Sequence, residues 1–131
     1  MQIKTLVGTV IIAGAVAVST LAAAGMASRK VGVFHFIRPT FTAGAIVSGH
    51  TVIVHDDEKM ARGEACTTVY RYDRKVATRQ GEELVSFHCK PTARPFAKTA
   101  QVNSERSISG PDRLLEYQLA GETEGHIVPI R

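Results

Sequence analysis

Apolar and polar positions divide this chain at residue 28. From Thr5 to Ser28 no residue carries a charge, and Val10, Ile11, Ile12, Val16, Val18 and Leu21 would cover every face of a helix. Beyond Arg29-Lys30 the apolar residues come instead in short runs rich in β-branched and aromatic side chains, each closed by turn residues, which predicts strands. Ala45–His55 contains Ile46, Val47, Val52, Ile53 and Val54, and Cys66–Tyr72 and Leu84–Cys89 alternate most clearly. Gln80-Gly81 turns the chain between the last two, and Pro91 closes the second. A short strand is expected at Lys98–Val102. Another is expected at Leu114–Leu119, after the turn signal Gly110-Pro111-Asp112, and an edge strand at His126–Ile130. The fold class is therefore mainly β, a small antiparallel meander or sandwich preceded by an N-terminal hydrophobic export or anchor helix.

The division along the chain follows. Residues 1–28 are expected to be a signal peptide or membrane anchor, residues 29–44 a linker or edge segment broken at Pro39, and residues 45–131 a single β domain. Lys4 precedes the apolar centre, and the small residues from Ser19 to Ser28 offer cleavage sites after Ala24 or Ala27. Left uncleaved, 24 uncharged residues would make roughly 36 Å of helix, enough to span a bilayer core of about 30 Å. Either way the domain is expected to be exported, periplasmic or extracellular, with membrane contact if residues 5–28 are retained.

Charge excludes one class of partner. The net charge is +4, and basic and acidic residues interleave from Asp56 to Arg131 without a block of one sign, so no nucleic-acid footprint is indicated. Arg71, Arg74, Lys75 and Arg79 form the one basic cluster, a candidate contact for an anionic group that also reads as a solvated strand and loop face.

Cys66 and Cys89 are the only cysteines, and an even count in an oxidising compartment suggests a disulfide. A hairpin that sets Val69 opposite Ser86 sets Cys66 opposite Cys89, a separation a bridge tolerates. If Val54 pairs with Thr67, His55 falls opposite Cys66. His55, Cys66 and Cys89 then form a candidate site for copper or zinc, with Met60 and His88 as further soft or borderline donors nearby in sequence. Against it, neither Cys-x-x-Cys nor His-x-x-x-His occurs, and His88 would point away from Cys89 along a strand.

No catalytic residues and no cofactor are indicated. Ser48-Gly49-His50 are merely adjacent, and Asp56-Asp57-Glu58 lack the alternating oxygen ligands and central glycine of a calcium loop. The expected function is a non-enzymatic binding or accessory protein of the cell envelope, with another envelope protein or membrane complex as partner. The alternative is a periplasmic copper- or zinc-binding protein.

Overall fold

Among the described residues, eight strands curl into one sheet shaped as half a barrel, with the order β4-β3-β2-β1-β7-β8-β5 and β6 also paired with β7. The computed structural model describes residues 29–130. The expected export or anchor segment lies outside the described residues. The elements are β1 (Arg29–Thr42), β2 (Ala45–Asp56), the short helix α1 (Asp57–Ala61), β3 (Thr67–Tyr72), β4 (Gln80–Phe87), β5 (Lys90–Ala93), β6 (Gln101–Glu105), β7 (Asp112–Gln118) and β8 (Glu124–Ile127). The protein is mainly β, as its residue pattern predicts, and β1 to β4 form an antiparallel meander. Among the described residues it is one curled sheet, with no second sheet packed on it as in a sandwich.

Residues 29–44, expected to be a linker or edge segment, instead supply the longest strand, seated between β2 and β7. The alternation explains its place: Phe34 and Phe36 face the core while Val31, Val33, His35 and Ile37 face out. Pro39 has no N–H for the ladder, and the β1–β2 register shifts between Phe36 and Thr40, so a bulge absorbs the proline instead of ending the strand. Beyond the bulge, Thr40 and Phe41 pair in parallel with Asp112 and Arg113 of β7. Ala43 and Gly44 make the β1–β2 turn with φ of 48° and 102°, the positive values a two-residue hairpin needs to match strand twist.

Phe34, Phe36, Val47, Ile53, Val69, Phe87, Leu114, Tyr117, Leu119 and Val128 form the core. Leu114 and Tyr117 both face it although their spacing is odd. The β6–β7 register steps from Asn103↔Glu116 to Ser104↔Leu114, so Leu115 is an extra residue that reverses the parity of β7.

The β3–β4 register is Thr67↔Phe87, Thr68↔Ser86 and Val69↔Val85, one residue from the expected pairing. A shift of one exchanges faces: Thr67 and Val69 point inward with Val85 and Phe87, and Thr68 donates to or accepts from Ser86 on the other face at 3.0 Å. The β2–β3 register is displaced likewise, with His55 opposite Thr67 rather than Cys66. The acidic loop after β2 is a helical turn, its N–H groups at Glu58 and Lys59 capped by the Asp56 carboxylate. The strand expected at Lys98–Val102 begins later, at Gln101, and β8 lies between β7 and β5 instead of at an edge. No helix among the described residues is long and apolar enough to cross a membrane.

Candidate metal centre

The buried polar side chains of His55, Thr67, Glu122 and His126 lie close together in the fold. His55 sits at the end of β2 on its core-facing side, in register with Lys30 of β1 and Thr67 of β3. His126 faces the core from β8, in register with Tyr117 of β7. Cys89 lies in the link between β4 and β5, and Cys66 just before β3. The curl of the sheet brings these four distant stretches together. One donor atom each from His55, Cys89 and His126 lies within 4.8 Å of the other two, spacing compatible with ligation of one ion.

The two imidazoles are almost completely inaccessible, 1% exposed for His55 and 0% for His126, and their ring centroids are 4.1 Å apart. Their hydrogen bonding differs in an informative way. His126 Nε2 lies 3.1 Å from Glu122 Oε1, and Lys30 Nζ holds the other carboxylate oxygen at 2.7 Å. Burial pushes the Glu122 carboxyl up, but hydrogen bonds from Lys30 and His126 outweigh it and keep the group below its ordinary value. An ionised Glu122 accepts from Nε2–H, which leaves the Nδ1 lone pair facing Cys89 Sγ at 3.6 Å. This is the carboxylate–imidazole arrangement that orients metal-binding histidines.

His55 has no such partner. Asp57 Oδ1 comes within 3.2 Å of its Nδ1 but off the hydrogen-bonding direction, so neither buried ring nitrogen is satisfied among the described residues. Leaving such a group unpaired costs about 1–3 kcal/mol. Burial, reinforced by the neighbouring His126, lowers the His55 pKa, with Asp57 opposing, which favours the neutral ring with a lone pair to give. Tyr117 stacks on His126 at 4.8 Å and forms a short hydrogen bond with Thr67 Oγ1, closing the floor of the site.

Cys66 and Cys89 are brought together, though not as opposed strand residues, since each lies just outside a strand. They are free thiols, their sulfurs 2.8 Å apart, and not bonded to each other in this structure. The Cys89 N–H also donates to Cys66 Sγ at 3.2 Å. Burial and the hydrogen bond with Cys66 push the Cys89 thiol up to about 12.

Of the ligand set expected from sequence, His55 and Cys89 belong to the compact cluster and Cys66 stands beside it, next to Cys89. His126 takes the third place, and nothing in its local sequence marks it. His88 is exposed, with Nε2 at 3.1 Å from the Gly63 carbonyl, and Met60 lies on α1. The basic cluster is partly occupied: Arg71 pairs with exposed Glu82, and Arg79 donates to the Arg74 and Val76 carbonyls, bracing its own loop. Arg74 and Lys75 remain at an open depression beside Tyr72 and Asp73.

Compared with known proteins, the chain matches no family model, no curated protein and no solved structure.

Proposed function

We propose that this is a metal-binding domain of the cell envelope, holding one thiophilic transition ion, Zn2+ or Cu+, between His55, Cys89 and His126. The observation that carries the reading is the buried, unsatisfied His55 imidazole set beside a cysteine and a second histidine that Glu122 has already oriented. Two imidazoles and a thiolate are the donors such ions prefer, and an ion would satisfy one of the two His55 nitrogens that the protein leaves unpaired. The uncharged run from Thr5 to Ser28 supports export or tethering of the domain.

Titration of the reduced full chain with Co2+ tests the site. One equivalent is expected, with a thiolate-to-cobalt charge-transfer band that Zn2+ displaces. His55→Ala, His126→Ala and Cys89→Ser should each abolish tight binding, and Glu122→Gln should weaken it by about tenfold to a hundredfold by releasing the His126 ring. Absence of stoichiometric binding by folded, reduced protein overturns the reading.

A second reading has its own observation. Val31, Val33 and Ile37 project from the outer face of β1 at 50%, 46% and 86% exposure, apolar surface of the kind that binds another envelope protein or a membrane complex. In that reading Cys66 and Cys89 are permanently oxidised to a structural disulfide and the domain is an accessory protein without chemistry. Intact mass of protein from the native envelope separates the two: a chain two hydrogens lighter than its reduced form, without metal, supports the second.

A further inference from the structure

Cys89 faces two partners that it cannot serve at once. On one side are the His55 and His126 rings, with His126 Nδ1 at 3.6 Å from its sulfur; on the other is Cys66 Sγ at 2.8 Å. A sulfur bonded in a disulfide is no longer a thiolate donor, so occupation of the metal site and a Cys66–Cys89 bond exclude one another. Cys66 is outside the set of mutually close donors, which gives it no evident part in ligation and leaves it placed as a resolving thiol.

We infer that thiol–disulfide exchange gates this metal site, a small disulfide oxidant joining Cys66 to Cys89 and so expelling the ion. The inference rests on the metal-binding reading. Accessibility sets the order of steps, because Cys89 is half-buried while Cys66 is 2% exposed. The Cys89 thiolate attacks one sulfur of the oxidant RSSR, forming the mixed disulfide Cys89–S–S–R and releasing RS−. The Cys66 thiolate, held against Cys89 by the Cys89 N–H, then attacks the Cys89 sulfur and releases the second RS−. Starting from the zinc-bound form, whose Cys89 carries no proton, the two cysteine sulfurs are oxidised by two electrons, RSSR is reduced to one RSH bearing the Cys66 proton and one RS− that takes its proton from solvent, and zinc departs as Zn2+ without change of oxidation state. By linkage the effect is reciprocal: the ion favours the dithiol as strongly as the disulfide disfavours the ion.

The experiment equilibrates the full chain in glutathione redox buffers at several free Zn2+ concentrations, reading thiol state by intact mass and bound Zn2+ with a chromophoric chelator. Reduced protein should hold one Zn2+. Oxidised protein should be two hydrogens lighter and bind at least about a hundredfold more weakly. Above saturation, each tenfold rise in Zn2+ should move the midpoint by about 30 mV toward positive potential, the two-electron equivalent of a factor of ten. Reduced Cys66→Ser should bind Zn2+ within about threefold of the parent, and under oxidised glutathione it should gain one glutathione instead of losing two hydrogens. Equal Zn2+ affinity in both thiol states, or no internal disulfide at any buffer ratio, overturns the gate and leaves the metal site standing. Loss of Zn2+ by reduced Cys66→Ser makes Cys66 a ligand and overturns its assignment as resolving thiol. No Zn2+ on reduced wild type removes the metal site itself, and the gate with it.

Discussion

The hydroxyls of Thr67 and Tyr117 join β3 to β7 beneath the candidate site, and both residues are 0% exposed. Thr67→Val replaces the hydroxyl by a methyl of similar volume and leaves the Tyr117 hydroxyl buried without its partner. Tyr117→Phe does the converse and keeps the ring stacked on His126. Each single change should cost about 1–3 kcal/mol, the penalty for desolvating a polar group that then finds no partner. The nearest alternative for Thr67, Cys66 Sγ at 3.9 Å, is too distant and too weak an acceptor to compensate. Removing both hydroxyls leaves nothing unpaired, so the double variant should lie near wild type and the coupling should approach the sum of the two single losses. At about 4–8 °C per kcal/mol for a domain of this size, each single change should lower Tm by several degrees. Urea unfolding of the four reduced proteins supplies the cycle. Strictly additive losses would refute the reasoning, because two hydroxyls that serve only each other cannot be lost independently.

Gly32→Ala should destabilise by on the order of 1–2 kcal/mol, since an added Cβ would stand 2.7 Å from Leu119 Cδ2 and 2.8 Å from Phe34 Cε2, both in the core, and only part of that overpacking is offset by reduced backbone freedom; thermal unfolding checks it. The Asp112 carboxylate is held below its ordinary 3.8 chiefly by the Ser107 N–H, then by Arg38, with burial opposing. Its folded value is depressed, so its stabilisation is present above pH 3.8 and is lost as pH falls below that value through the folded pKa; acid titration of Asp112→Asn should show a shallower loss than wild type. Because the Cys89 thiol is pushed up to about 12, binding of an ion at neutral pH must displace its proton. Apparent affinity should therefore rise about tenfold per pH unit between pH 7 and 8.5, with one proton released per ion in weakly buffered solution; pH-independent affinity contradicts thiolate ligation by Cys89.

The β class was legible because strand-forming runs announce themselves locally: Ile53, Val69 and Phe87 fall in segments whose composition alone predicts strand. Register was not. The connection from Asp73 to Arg79 is long, with bulges between Val69 and Tyr72, so no short turn pins β3 against β4 and a slip of one residue is invisible in the sequence. That slip is why the cysteines were rightly expected to be neighbours for the wrong geometric reason. Pro39 read as the end of β1 because a bulge that accommodates it depends on β2 and β7. His126 stands 37 residues from Cys89, in a segment of ordinary strand character, and only the curl of the sheet brings it to the site.

The parallel pairing of β1 with β7 also sets an order of events. Strands β1 to β4 meet through neighbours close in the chain, whereas Arg38 and Asp112, which join in an ion pair beside the parallel segment, are 74 residues apart. Closing so long a stretch costs entropy before any contact rewards it, so the N-terminal meander should assemble ahead of the docking of β7 and β8. His55 belongs to the early part and His126 to the late one. The cluster is thus complete only when the last strands have docked, and an ion held there would clasp the beginning of the folding sequence to its end.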